Sequence, residues 1–182
     1  MIVKRILFIA LALLSLTVNQ QVKADEPNLR HIRSLLVVCM NSSKTTDSLY
    51  KSLAAIKNRT GVISGYLATL SACKAKLSWN PYMKVKHLNN AEATYKTAVS
   101  ADPHNIEIRF LRFSVEHNVP GFLGFNKDLT TDSEEIITQL DKKNYGTADK
   151  DLTVAIIKFL LQSKRCTATQ NQDLNKHLAE LK

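Results

Sequence analysis

Arg109 and Arg112 stand in the middle of the apolar segment IEIRFLRFSVEHN, residues 106 to 118, with Glu116 four positions beyond Arg112. On a helix, residues three and four apart share a face, so two guanidiniums and a carboxylate line up there. A charge among Ile106, Phe110 and Phe113 is costly unless it is paired and hydrogen-bonded. Both arginines should therefore be at least half buried. In one reading they pair with Glu92, Glu107 or Glu116 and lock neighbouring helices. In the other they line a groove, where their planar forks take a carboxylate or phosphate.

Aromatic residues form the second set of candidates. Phe122 and Phe125 lie in NVPGFLGFNKDL, residues 118 to 129, where Gly121 and Gly124 permit tight turns. Trp79 and Tyr82 flank Pro81 in WNPY. Such rings either fold inward and plug the end of a helical stack, which is the default, or stand out as anchors for a partner. The candidate binding residues are thus Arg109, Arg112, Glu116, Trp79, Tyr82, Phe122 and Phe125.

Signs of catalysis are weak. His31, His87, His104, His117 and His177 are scattered and show no metal-ligand spacing. No nucleophile elbow or phosphate loop occurs, so neither metal nor cofactor is called for. The three cysteines, Cys39, Cys73 and Cys166, allow one disulfide at most within a monomer. Cys39 and Cys73 sit on apolar helical faces as buried thiols, with a bridge between them as the alternative in an oxidising compartment.

The elements that must position these residues all show a helical period. Leu29, Ile32, Leu36 and Cys39 form one stripe, and Leu49, Leu53 and Ile56 a second. Ile63, Tyr66, Leu67, Leu70, Cys73 and Leu77 form a third; Pro81 then pushes Asn80 out of helical conformation. Val85 to Val99 continues the pattern. Residues 106 to 115 are apolar on more than one side, the mark of an enclosed helix. Thr131, Asp132 and Ser133 offer a cap before Glu134, and Thr147 offers one before the stripe from Leu152 to Leu160. A last weak helix holds Leu174, Leu178 and Leu181. Strand-type alternation is missing, which predicts an all-α domain of seven or eight helices in antiparallel pairs.

The opening segment reads as an address. Lys4 and Arg5 precede an apolar run from Ile6 to Leu16, and Val22-Lys23-Ala24 supplies small residues where a signal peptidase reads. The run is short of the roughly 20 residues a bilayer span needs. Residues 1 to 24 are therefore expected to be a signal peptide and 25 to 182 a single helical domain, periplasmic or secreted. The whole chain carries 25 basic and 16 acidic residues. Without Lys4, Arg5 and Lys23 it carries 22 against 16, a net +6. A basic exported protein meets anionic envelope polymers and headgroups first. No dense basic run with interleaved aromatics supports a nucleic-acid groove.

Ala91, Tyr95, Ala98 and Pro103 fit A-x3-Y-x2-A-x4-P, which resembles the second helix and closing turn of a tetratricopeptide repeat. The W-x2-L-G-x2-Y half is missing upstream, and no second copy follows. That likeness implies a right-handed stack of helix pairs. Residues 60 to 140, above all NIEIRFLRFSVEHNVPGFLG, also resemble a family of small exported proteins of the Bacteroidota. This second likeness implies an exported helical protein and carries no activity. Stacked helix pairs commonly bind partners. The function expected is therefore non-enzymatic: a module that binds a protein or peptide of the cell envelope. The alternatives are a small envelope enzyme or accessory built on an Arg/Glu pocket, and a basic polyanion or membrane-surface binder.

Overall fold

In a computed structural model, residues 28 to 181 are described; the expected signal peptide lies outside them. Contacts divide the chain into Met1–Ile32 and Arg33–Lys182. Of the first unit the described part is the opening of one helix, where the Asn28 side chain accepts the His31 N–H at 3.1 Å.

The described chain is all-α. Its helices are α1 (Leu29–Cys39), α2 (Ser43–Ala54), α3 (Gly61–Leu77), α4 (Pro81–Ala101), α5 (Ile106–Asn118), α6 (Leu129–Asp141), α7 (Lys150–Ser163) and α8 (Ala168–Glu180), with a 3-10 turn at Gly121–Leu123. No described helix is long and apolar enough to cross a membrane. Side chains set most of the starts. Ser42, Thr60, Asn80, Asn105 and Asp149 each cap a helix through a backbone N–H, and Thr167 with Gln170 closes a reciprocal capping box. Pro81 occupies the first position of α4, where its missing N–H costs nothing.

α3 and α4 are the closest pair and run antiparallel. A Cβ on Gly61 would stand 3.1 Å from the Ala98 carbonyl oxygen and 3.2 Å from the Asp102 Cβ, so the start of α3 meets the end of α4. Ala91, Tyr95 and Ala98 are all buried at this seam. The Tyr95 ring fills it, with its hydroxyl 2.7 Å from Thr69 Oγ1 and donating to the Leu111 carbonyl at 3.0 Å. Small residues for approach and an aromatic for filling are what the A-x3-Y-x2-A spacing implies.

Other contacts fix which helix ends lie together. Lys74, late in α3, pairs with Asp47, early in α2, at 2.8 Å and stands 4.1 Å over the Tyr50 ring. The Thr46 hydroxyl donates to the Cys39 carbonyl at 2.9 Å, which holds the end of α1 there as well. Glu92 in α4 pairs with Lys127, beyond α5, at 3.3 Å. The finish of α1 and of α3 therefore lies with the start of α2, and the start of α4 follows directly from α3.

A second apolar core joins the later helices. Ile106 and Phe113 of α5 pack with Ile136 and Leu140 of α6, Ile156 and Leu160 of α7, and Leu174 of α8. α5 is thus enclosed, as its two-sided apolar pattern predicts.

Gly61 and Gly65 separate close approach from ordinary packing. Gly61→Val should cost about 2 kcal/mol in urea unfolding, because the backbone oxygen of Ala98 cannot move aside. Gly65→Ala places a Cβ 3.4 Å from the Leu111 Cδ1, an ordinary contact. It should leave stability unchanged or raise it by up to ~1 kcal/mol through helix propensity.

Candidate functional site

α5 brings four charged side chains inside: Glu107, Arg109, Arg112 and Glu116 are all at most 8 % exposed. The two arginines are buried as expected, but their partner is not a glutamate. It is Asp132 of α6, itself fully buried. Arg109 gives Nη1 to Asp132 Oδ1 at 2.9 Å, and its Nε and Nη2 grip the Pro103 carbonyl at 2.9 and 2.8 Å. Arg112 donates through Nε and Nη2 to both Asp132 oxygens, at 2.7 and 2.6 Å, and its Nη1 lies 3.1 Å from Asp128 Oδ2. Burial works against the Arg112 cation, yet the bond to Asp132 and the nearby carboxylates outweigh it and raise its pKa. Burial pushes the Asp132 carboxyl up, against the pull of Arg112 and then Arg109.

The sequence places Asp132 in a helix cap. α6 instead starts a turn earlier, at Leu129, which carries Asp132 into the interior of the helix and toward α5. Asp128 holds the cap position without a side-chain cap bond, its carboxylate being drawn to Arg112. Its backbone N–H goes to Glu116 Oε2 at 2.9 Å. Burial, only partly offset by that bond, pushes the Glu116 carboxyl up to about 7.

Glu107 belongs to a second cluster. Arg33 of α1 grips both its oxygens, at 2.9 and 2.8 Å, while the Tyr66 hydroxyl of α3 also donates to it. Thr147 adds its hydroxyl at 2.6 Å. Thr147 is therefore not the cap of α7 that its sequence position suggests; Asp149 is, and Asp149 also lies 3.1 Å from Arg33 Nη1. Gly146, at φ +58°, makes the left-handed turn that precedes Thr147. The bond to Glu107 raises the Arg33 pKa against burial, and burial, then the Glu107 charge, raises that of Tyr66.

The groove reading finds little space. Leu88, Ala91 and Tyr95 of α4, Arg112, Val115 and Glu116 of α5, and Phe125 beyond it line a hollow of about 20 Å³. That is room for about one water, against the hundreds of Å³ of a small-molecule site. Among the described residues no three His, Cys, Asp or Glu side chains are grouped to hold a metal. Cys39 and Cys73 are buried free thiols, and burial pushes Cys73 up to about 11, where little thiolate exists at neutral pH.

The aromatic candidates reverse the inward expectation. Trp79 is 89 % exposed, Phe122 87 % and Tyr82 73 %; of the set, Phe125 alone is partly covered, over the hollow. The reason is topological. Trp79 and Tyr82 sit at the turn from α3 into α4 that Pro81 makes, and Phe122 in the separate 3-10 turn after α5. Val85, early in α4, is exposed as well, as are Val37, Val38 and Met40 at the end of α1. Arg109, Arg112 and Glu116 are thus held inside, while Trp79, Tyr82 and Phe122 stand outward, the first two at one turn. No protein-family model, curated protein or solved structure matches the chain.

Removing Asp132 takes the shared carboxylate from two buried cations and leaves Arg112 with Asp128 alone, whereas removing Arg109 leaves Asp132 one partner. Asp132→Ala should cost on the order of 4 kcal/mol in chemical unfolding, and Arg109→Ala about half that. Equal losses would contradict the shared-carboxylate geometry. Glu116 makes a prediction in pH. Its folded pKa of about 7 lies above the unfolded value of about 4.3, so the fold holds a proton that the unfolded chain gives up. Its stabilising share is complete below about pH 4 and is lost as pH rises to 7. Glu116→Gln, which keeps an acceptor for the Asp128 N–H, should remove that loss. Melting curves from pH 4 to 8 should show the variant gaining on the parent as pH rises.

Proposed function

We infer that the chain is a non-enzymatic docking module of the bacterial envelope, exported by residues 1 to 24, which holds another envelope component with one end of its helix pairs. The observation that supports this is the exposure of Trp79 and Tyr82 together at the turn from α3 into α4, with Val85 exposed just beyond and Phe122 exposed in the turn after α5. Scattered exposed apolar residues need no explanation, but a gathered set of large rings marks a contact surface. Arg109 and Arg112 act inside as ties between α5 and α6, because their donors are engaged within the chain. A tetratricopeptide-like arrangement of the pairs fits the Ala91, Tyr95 and Ala98 seam, with docking through the end in place of the groove.

The test replaces the three rings together, Trp79→Ser, Tyr82→Ser and Phe122→Ser. Because they are surface positions, each should change stability by no more than about 0.5 kcal/mol. In cells, the tagged parent should fractionate with the envelope and the triple variant should be released. A variant that melts normally and still fractionates with the envelope would overturn the docking role.

A further inference from the structure

The same end carries an unusual balance of charge. From residue 48 to residue 91 the chain has seven lysines and arginines and not one aspartate or glutamate. Four of the seven frame the exposed rings: Lys74 and Lys76 precede Trp79, and Lys84 and Lys86 follow Tyr82. Lys74 is spent on Asp47 and Tyr50. Lys76, Lys84 and Lys86 are exposed, as is Lys44 at the start of α2, which the packing brings to this end.

We propose that this end docks on an anionic lipid surface, with Lys76, Lys84 and Lys86 meeting headgroup phosphates while Trp79 and Tyr82 seat their rings at the headgroup level. The proposal rests on the docking role above and names its partner. Charge complementarity selects an anionic surface: Lys76, Lys84 and Lys86 are exposed around the rings, and the acid at this end, Asp47, is already paired with Lys74. The apolar residues select lipid among anionic surfaces. Trp and Tyr prefer the membrane–water interface, where one edge of the ring is apolar and the other wet. Val37, Val38, Met40 and Val85 offer nothing for nucleobases to stack on, yet each gains by leaving water for the acyl boundary. Lysines suit the task too, since their long stems lie along apolar ground while the ammonium stays with the phosphates.

Trp79 is the only tryptophan of the chain, so its emission reports this end alone. The chain from Asp25 onward, which holds every described residue, is mixed with vesicles of phosphatidylcholine containing 30 % phosphatidylglycerol, and with pure phosphatidylcholine. Trp79 emission should shift to the blue and the protein should co-sediment with the anionic vesicles, less so as salt rises. Pure phosphatidylcholine and inorganic phosphate should leave the emission unmoved. Lys76→Gln with Lys84→Gln and Lys86→Gln should weaken partitioning on the order of a hundredfold, at unchanged circular dichroism. Tyr82→Ala should weaken it while keeping the Trp79 probe.

An unmoved emission with anionic vesicles overturns the lipid partner, and so does a blue shift on duplex DNA without one on vesicles. The two proposals fail separately. If the ring-free variant is released from the envelope while vesicles leave Trp79 unmoved, docking stands and lipid falls. If that variant stays bound in cells, docking itself falls.

Discussion

The fold depends on neutralising the charges that α5 carries inside. Glu107, Arg109, Arg112 and Glu116 sit on one helix, and each is satisfied by a group from elsewhere in the chain. Arg33 of α1, Tyr66 of α3 and Thr147 before α7 take Glu107. Asp132 of α6 takes both arginines, and the Asp128 backbone takes Glu116. A buried pair gains little net stability over a well-packed apolar substitute, but a misplaced partner is costly. These charges therefore act chiefly on arrangement. With apolar contacts alone, α5 could rotate or slide and still bury Ile, Phe and Leu. With its charges in place, few registers against α3 and α6 leave no ion stranded.

The polar ties and the apolar cores divide the labour. Tyr95 and the small residues beside it bring α3, α4 and α5 close, while Phe113, Ile136, Ile156 and Leu174 bind the later helices to the far side of α5. Between them, Asp132 closes the α5–α6 corner. Arg109 extends that closure to the Pro103 carbonyl, so the turn from α4 into α5 is held by the same group that holds α6. That corner lies at the finish of α4, the opposite end of the helix from its Pro81 start.

Much of this was legible in the residues and some was not, for physical reasons. Helices announce themselves through a local period, so the all-α fold and the enclosed α5 follow from spacing alone. That Arg109 and Arg112 must be buried and paired also follows, because an ion among phenylalanines has few alternatives. Their partner does not follow. Asp132 and Thr147 sit where helix caps sit, and a cap is the cheaper local reading of an Asp or Thr before a stripe. Long-range pairing with α5 overrides it, and sequence separation hides that pairing. The aromatics fail differently. A ring next to Pro or Gly is as fit for a core as for a surface, and only the folded chain shows that Trp79 and Phe122 are exposed. The signal that separates the two was present: Lys74, Lys76, Lys84 and Lys86 close in on WNPY from both sides, and a plug would not be framed by cations.

Two kinds of charge are kept apart in this chain, and the separation links fold to function. Inside, acids and bases meet one to one or two to one and cancel. At the end where α4 begins, Lys76, Lys84 and Lys86 stand exposed, while Lys74 is paired with Asp47. Folding needs the first kind and does not need the second, since exposed like charges repel and lend the fold nothing. Nor does folding need rings in water at the same place. In the docking we propose, these exposed side chains are half of a contact whose other half is negative and apolar at once.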